Sequence, residues 1–232
     1  MSAFFRFPRI PHLVGLGTGF TRDDKVLSGS EADALLAREV VIEEKLDGAN
    51  LGLSVGPDGG LRLQNRGQYL VPPYSGQFDK ANAWLGLHRD QLAAKLGHGE
   101  ILFGEWCAAR HSLTYDQLPD WFLVFDVYDK REARFWSTPR RNALAARLGL
   151  AVVPLIGVGR SNLTELKQMV IGEPSRVRTG PMEGVVIRNE TRDWLEARAK
   201  LVRPDFTQAI GEHWRRRRIE WNRLKGAVPG SQ

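Results

Sequence analysis

The sequence predicts an α+β fold built on mainly antiparallel sheets. Short apolar runs rich in β-branched and aromatic residues recur along the 232-residue chain and are bounded by Gly, Pro or Asp, which is typical of strands. A few longer segments instead carry apolar residues at helical spacing. Strands and helices do not alternate regularly, as a parallel βαβ sheet requires, so antiparallel pairing is favoured.

Seven segments are predicted to be strands. In chain order they are 39–44, 50–55, 61–65, 100–106, 121–128, 184–188 and 198–202. The stretch 56–60, Gly-Pro-Asp-Gly-Gly, is a turn signal, so we expect the second and third strands to form a hairpin.

Four segments are predicted to be helices: 79–96, 138–148, 164–170 and 205–224. In the second of these, Thr138-Pro139 is typical of a helix start, with proline in the first turn. The chain shows no internal repeat and no linker-like tract. We therefore expect one domain over 1–225, which includes the basic C-terminal helix, and a flexible tail over 226–232.

Composition narrows the class of protein. No apolar run approaches the ~20 residues of a membrane span, and the N-terminus lacks the order of a signal peptide, so we expect a cytoplasmic protein that does not contact a membrane. The single cysteine, Cys107, excludes an intrachain disulfide and a cysteine zinc cluster. A net charge of +6 and the run Arg215-Arg216-Arg217-Arg218 indicate a polyanionic partner, with nucleic acid as the obvious candidate.

One lysine stands out as a candidate nucleophile. The apolar run Val41-Ile42 leads through two glutamates to Lys45, which is followed by Asp47, Gly48 and Asn50. A lysine amine can form a phosphoramidate or a Schiff base once it has lost its proton. The alternative is a solvated lysine at a hairpin turn.

Polar residues that a lysine nucleophile and a nucleotide would need occur in later segments. Arg66 ends a hairpin strand, Glu105 lies inside an apolar strand, and Phe125 lies in a run of aromatic residues. Glu183 immediately precedes one further strand, and Lys200 lies within another. Singly, each has an ordinary interpretation: a surface arginine, a buried ion pair, a core aromatic ring. Together they indicate a site.

Five segments, in this order, resemble the motifs of covalent nucleotidyltransferases, the superfamily of ATP- and NAD-dependent ligases and mRNA capping enzymes. They are Lys45-Leu46-Asp47-Gly48-Ala49-Asn50, Phe103-Gly104-Glu105, Phe125-Asp126, Glu183-Gly184-Val185-Val186 and Lys200-Leu201-Val202. They cover roughly residues 40 to 206. Asn50 stands where DNA ligases usually carry arginine, so the chain most resembles ATP-dependent RNA ligases of the RNA ligase 2-like branch. The resemblance implies a nucleotidyltransferase (adenylation-domain, ATP-grasp-like ligase) fold with flanking helices.

The resemblance also implies catalytic roles. Lys45 attacks the α-phosphate of ATP and becomes lysyl-AMP, while Asp47 steers it. Glu183 holds Mg²⁺ or Mn²⁺, or orients the lysine. Lys200 neutralises the α-phosphate and, together with a bound metal, is expected to lower the pKa of Lys45. Asn50 orients the strand end.

ATP-binding roles are implied for a larger set. Arg66 contacts a phosphate or the ribose, Glu105 the ribose hydroxyls, and Phe125 stacks on adenine. The set as a whole is Glu44, Lys45, Gly48, Asn50, Arg66, Glu105, Phe125, Glu183 and Lys200.

The implied reaction joins 5′-phosphate and 3′-hydroxyl RNA ends, in single strands or a nicked duplex. Alternatives are a DNA nick ligase or end-adenylylating enzyme of the same superfamily, and a non-catalytic nucleic-acid-binding protein on the same fold. A nucleic-acid-binding protein would not need the nucleophile. The helix predicted over 205–224 is then either a substrate contact or a solvated face.

Two features depart from the family pattern. The last motif commonly carries two lysines one residue apart, and here Arg198 or Arg203 is expected to replace one of them. Only about 30 residues follow that motif, so we expect no OB-fold and no separate C-terminal domain.

Overall fold

The computed structural model describes residues 4–17, 24–206 and 219–226. Its helices are α1 (Gly29–Leu36), α2 (Ala81–Lys95), α3 (Thr138–Arg147) and α4 (Leu163–Gly172). Its strands are β1 (Val40–Lys45), β2 (Ala49–Val55), β3 (Leu61–Gln64), β4 (Glu100–Trp106), β5 (Phe122–Asp129), β6 (Arg134–Phe135), β7 (Leu155–Gly159), β8 (Gly184–Glu190) and β9 (Leu195–Val202). The predicted α+β class is confirmed.

The strands form two sheets, and every strand pair within them is antiparallel. The first sheet has the order β7-β1-β8-β9, and the second has the order β3-β2-β4-β5-β6. The predicted hairpin is the β2–β3 pair, in which Val55 lies opposite Leu61.

The first sheet separates apolar from polar residues by its two faces. Val40 and Ile42 of β1 belong to an apolar cluster that includes Leu35 of α1 and Leu166 of α4. Because successive side chains of a strand point to opposite faces, Glu43 and its neighbours at alternate positions lie on the other face. This second face lines the cavity that is described below.

The second sheet is arranged in the same way. Leu51 and Leu53 of β2 pack in a cluster with Trp84 of α2 and Leu144 of α3. The alternate residue Asn50 lies on the opposite face of β2 and pairs across the ladder with Glu105 of β4. Each sheet thus buries one face under helices and leaves a polar face for the site.

All seven predicted strands and three predicted helices, those over 79–96, 138–148 and 164–170, are confirmed with small shifts at their ends. Besides a single-turn 3-10 helix (Gly76–Phe78), three elements were missed. β6 has only two residues, β7 is an edge strand whose Leu155 and Val158 are exposed, and α1 buries only Leu35. None of them carries a periodic apolar pattern long enough to predict it.

The predicted C-terminal helix differs from the structure where the structure describes it. Residues 207–218 of that prediction and 227–232 of the predicted tail lie outside the described residues. Residues 219–224 are not helical, because they pair with the loop that follows β4: Trp221 bridges Ala109, and Asn222 donates to the carbonyls of Cys107 and Ala109. Among the described residues, no helix is both long and apolar enough to cross a membrane.

Candidate active site

The polar faces of both sheets contribute to a cavity of about 680 Å³. This is within the size range of small-molecule and cofactor sites. Lys45 and Lys200 of the first sheet line it, as do Asn50 and Glu105 of the second. Four predicted residues from three separate motifs therefore meet in one cavity.

Strand register brings Lys45 and Glu183 together. Lys45 ends β1 directly opposite Gly184, the first residue of β8, and Glu183 immediately precedes that strand. The Lys45 Nζ lies 2.6 Å from the Glu183 Oε1, and the Glu183 side chain is only 4% exposed. Position 184 must be glycine, since a Cβ there would lie 2.2 Å from the Leu201 carbonyl oxygen.

The charges around Lys45 favour its protonated form. Burial lowers the pKa of Lys45, but the carboxylates of Glu183 and Glu105 raise it by more, so the net shift is upward. Burial raises the pKa of Glu183 to about 8 and that of Glu105 to about 7. The sequence led us to expect cations such as Lys200 to lower the pKa of Lys45. In the protein alone this is wrong, because the Glu183 carboxylate is in direct contact with the amine.

Lys200 lies on β9, opposite Val186, on the face that carries Lys45. Burial lowers its pKa, and the neighbouring Lys45 lowers it further. Its Nζ lies 3.8 Å from the Asp24 Oδ1. Its backbone pairs with an N-terminal segment, since its N–H donates to the Pro11 carbonyl and its carbonyl accepts from the Leu13 N–H.

The start of β2 is held against β4. The Gly48 N–H donates to the Glu105 Oε1 over 2.9 Å. A Cβ at position 48 would lie 2.5 Å from the Trp106 carbonyl oxygen, so only glycine fits there. The close approach that this glycine permits in the structure is that of the β4 backbone.

A β-bulge directs Phe125 into the cavity. Across the β4–β5 ladder, Asp126 pairs with Phe103 and Val124 pairs with Gly104, which leaves Phe125 as the extra residue. Its ring lines the cavity and packs edge-on against Phe7, with ring centroids 5.3 Å apart.

Arg66 also lines the cavity, at the end of the β2–β3 hairpin. Burial lowers its pKa, and the nearby positive charges of Arg9 and Arg6 lower it further. A group of cations therefore surrounds the cavity that holds Lys45 and Lys200, which is the arrangement that phosphate oxygens require.

Two predicted site residues direct their carboxylates elsewhere. Glu44 lies on the opposite face of β1 from Lys45, and its carboxylate accepts from the Ser175 hydroxyl and the Arg176 N–H. The Asp47 carboxylate accepts from the backbone N–H groups of Ser112 and Leu113, so it fixes the loop after β4. The Asp47 charge still acts nearby, since it raises the pKa of Lys45.

Both arginines considered as the second cation of the last motif pair with a carboxylate. Arg198 lies two residues before Lys200 on the same face of β9, is 7% exposed and pairs with Asp126. Arg203 instead pairs with Asp205 through a 2.8 Å contact.

Sequence reasoning missed a buried ionic network beside the cavity. Arg141 of α3 binds Glu43 of β1 through both carboxylate oxygens and donates to the Phe125 carbonyl. Arg188 of β8 pairs with Asp126 at 2.8 Å. Both arginines are at most 1% exposed, and the partners are far apart in sequence, so no local pattern marked them.

The N-terminal segment was also missed. Phe7, Arg9 and Ile10 line the cavity, and Asp24 and Lys25 join them. An aromatic and basic stretch, Phe-Arg-Phe-Pro-Arg at 5–9, was the available signal. Without knowledge of the pairing to β9, nothing connected it to Lys200.

His111, on the loop after β4, is a further lining residue that was not predicted. Its Nε2 lies 2.8 Å from the Gln77 Oε1, and burial lowers its pKa.

Two oxygen atoms of predicted site residues are suited to a divalent cation that also binds a phosphate ligand. The Glu183 Oε2 and Asn50 Oδ1 are buried and have no hydrogen-bond partner among the described residues. No cluster of three or more His, Cys, Asp or Glu side chains suited to a metal occurs within the described ranges. Mg²⁺ typically takes one or two protein oxygens and completes its shell with water and substrate phosphates, so one carboxylate is sufficient.

Solved structures share this fold. A Naegleria gruberi RNA ligase with pyrophosphate matches with a TM-score of 0.61 at 18% identity, over 89% of this chain and 64% of that chain. A variant of the same ligase with ATP and Mn matches with a TM-score of 0.58 at 16% identity, over 86% of this chain and 62% of that chain. The chain thus spans less than two thirds of the length of these ligases. A search of curated proteins found no match.

A family comparison gives the assignment. The model of the RNA ligase family matches residues 38–202, well over half of the chain, and this range includes β1 to β9. It contains the predicted nucleophile and every residue predicted to act with it. The chain therefore belongs to the RNA ligase family.

Proposed function

We propose that this protein is an ATP-dependent RNA ligase that joins 5′-phosphate and 3′-hydroxyl RNA ends through a lysyl-AMP intermediate on Lys45. The observation that carries the proposal is the position of the Lys45 amine, 2.6 Å from Glu183 at a cavity lined by further cations. Family membership supports RNA as the substrate.

The first step forms a phosphorus–nitrogen bond. The Lys45 amine attacks the α-phosphate of ATP, the bond from the α-phosphorus to the bridging oxygen breaks, and pyrophosphate leaves. The amine must lose a proton, and the Glu183 carboxylate, 2.6 Å from it, is placed to accept that proton. Lys200 and Arg66 neutralise the phosphate oxygens, where negative charge gathers in the transition state.

The remaining lining residues orient the nucleotide. Phe125, held by its bulge, offers a ring for the adenine base, and Glu105 offers a carboxylate for the ribose hydroxyls. Mg²⁺ or Mn²⁺ bound at Glu183 would add positive charge at the triphosphate. Asn50, whose Oδ1 has no partner among the described residues, could share that role.

The later steps transfer and release AMP. A 5′-phosphate oxygen of one RNA end attacks the phosphorus of lysyl-AMP and frees the Lys45 amine. A 3′-hydroxyl then attacks the 5′-phosphate, forms the phosphodiester and expels AMP. Asn50 lines the cavity within reach of this chemistry, and we assign it to orienting the strand end.

A panel of substrates tests the proposal. Wild type should join 5′-phosphorylated single-stranded RNA or a nicked RNA duplex in the presence of ATP and Mg²⁺, and Lys45→Ala should join neither. Lys167→Ala, on α4 away from the cavity, should behave as wild type. Equal or faster sealing of nicked DNA would contradict the RNA assignment, and 5′-adenylylated RNA that is never joined would identify an end-adenylylating enzyme.

A further inference from the structure

A second groove lies outside the cavity described above. It has a volume of about 440 Å³ and is formed by β3, the segment that follows it, and one side of α2. None of its lining residues belongs to the Lys45 cavity.

Both walls of the groove carry an arginine. Asn82, Leu85 and Arg89 of α2 line it at a spacing of three to four residues, which places them along one side of the helix. Arg62 of β3 lines the other wall, with its side chain 40% exposed and its guanidinium 3.6 Å from the exposed carboxylate of Asp58. The positive charge that suits this groove to an anion therefore comes mainly from Arg89.

Two half-buried tyrosines complete the lining. Tyr69 lies under the Arg62 guanidinium, 5.9 Å from its carbon to the ring centroid. Tyr74 packs partly against the core of the second sheet. Aromatic rings beside arginines are the combination by which proteins hold single-stranded nucleic acid, with bases on the rings and phosphates on the cations.

The Tyr74 backbone is fixed before any ligand binds. Its N–H donates to the Asn82 Oδ1 over 3.0 Å, and its carbonyl accepts from the Asn82 Nδ2 over 2.8 Å. The Asn82 amide thus binds both the N–H and the carbonyl of Tyr74, and so joins the segment after β3 to α2. Because the backbone that carries the Tyr74 ring is already ordered, less conformational freedom is lost when the ring stacks against a base.

The groove is connected to the active site by a short segment. Tyr69 bridges Gln64 at the end of β3, and residues 65–68 between them include Arg66, which lines the Lys45 cavity. A strand whose end lies in the cavity could therefore continue along this segment into the groove.

We propose that this groove binds a nucleotide of the RNA substrate close to the end being joined, with a base on Tyr74 and a phosphate on Arg89. The identity of the ligand as substrate rests on the proposed ligase function. The arginines and rings favour an RNA strand over a peptide.

Binding and joining of a short 5′-phosphorylated single-stranded RNA test this proposal with matched variants. Tyr74→Leu keeps an apolar contact but removes the ring, and Tyr74→Phe keeps the ring. We expect Tyr74→Leu to weaken RNA binding about tenfold and Tyr74→Phe to bind as wild type. Arg89→Ala should reduce the slope of log affinity against log salt by about 0.7, whereas Arg160→Ala, an exposed arginine beside the first sheet, should not change it.

Formation of lysyl-AMP should be unchanged in all four variants, since none of these residues lines the Lys45 cavity. RNA affinity and salt slope equal to wild type in both Tyr74→Leu and Arg89→Ala would overturn the proposal, as would equal losses in Tyr74→Leu and Tyr74→Phe. Binding is read by fluorescence anisotropy without ATP. A failure of the proposed function, in which wild type forms no lysyl-AMP, is therefore distinguishable from a failure of the groove.

Discussion

At the scale of single residues, the chemistry of the site is set by carboxyl groups that are held out of water beside a lysine. Glu183 contacts the Lys45 amine directly, and Glu105 acts on it from the facing sheet. Burial alone would raise the pKa of both carboxyl groups and lower that of the amine, and the pairing opposes all three effects. Such groups cost stability in the folded protein, which is usual where residues are arranged for catalysis.

The cost of burying Glu105 can be measured from the pH dependence of the free energy of unfolding. Burial raises its pKa from 4.5 to about 7, so between these values the folded protein binds protons that the unfolded chain releases. The free energy of unfolding therefore falls as pH rises through this range. Glu105→Gln removes the titration and keeps an acceptor for the Gly48 N–H. We expect this variant to be more stable than wild type by about 2 kcal/mol near pH 8, with a much smaller difference near pH 5.

Urea unfolding of both proteins at several pH values measures this difference. Glu132→Gln, which changes an exposed carboxylate, is the control and should leave stability unchanged at each pH. A Glu105→Gln variant less stable than wild type at alkaline pH would show that its ion pairs outweigh the cost of burial.

At the scale of elements, the bulge in β5 and the helix α3 are joined by one buried arginine. Arg141 spans from α3 to Glu43 on β1 and also binds the carbonyl of Phe125, the bulged residue. This single side chain therefore connects the two sheets and holds the backbone of the bulged residue. The arrangement explains why a fully buried arginine is present beside a nucleotide-sized cavity.

Breaking that pair should destabilise the fold strongly. Arg141→Met removes the bidentate partner of the buried Glu43 carboxylate and leaves it only the 3.8 Å contact with Arg188, so we expect a loss of about 3–5 kcal/mol in the free energy of unfolding. The double variant Glu43→Leu with Arg141→Met should recover much of this loss, since it removes both charges. Chemical denaturation of the single and double variants measures both effects.

Arg147→Met is a matched control in the last turn of the same helix, where the side chain is exposed. It should change stability by less than about 0.5 kcal/mol. If Arg141→Met were as stable as wild type, the pair would not hold α3 to the first sheet.

At the scale of the whole molecule, the sequence predicts those site residues whose positions are determined by the strand in which they lie or which they adjoin. Lys45 and Glu183 follow from strand ends whose alternation and bounding glycines are visible in the sequence, and their pairing follows from sheet register. The N-terminal segment and Arg141 could not be predicted, because their roles depend on contacts with β9 and β1 that are distant along the chain. The same holds for residues 219–224, whose pairing with the loop after β4 replaced the helix expected from their composition.

Intact-mass analysis after incubation with ATP and Mg²⁺ tests the central claim most directly. Wild type should gain the mass of one AMP, peptide mapping should place it on Lys45, and Lys45→Ala should gain nothing. The untreated wild type is measured in parallel, so that protein already adenylylated during expression is recognised by its starting mass. An adduct of equal yield on Lys45→Ala, or no adduct on a wild type that starts unmodified, would contradict the assignment of Lys45 as the nucleophile of an ATP-dependent ligase.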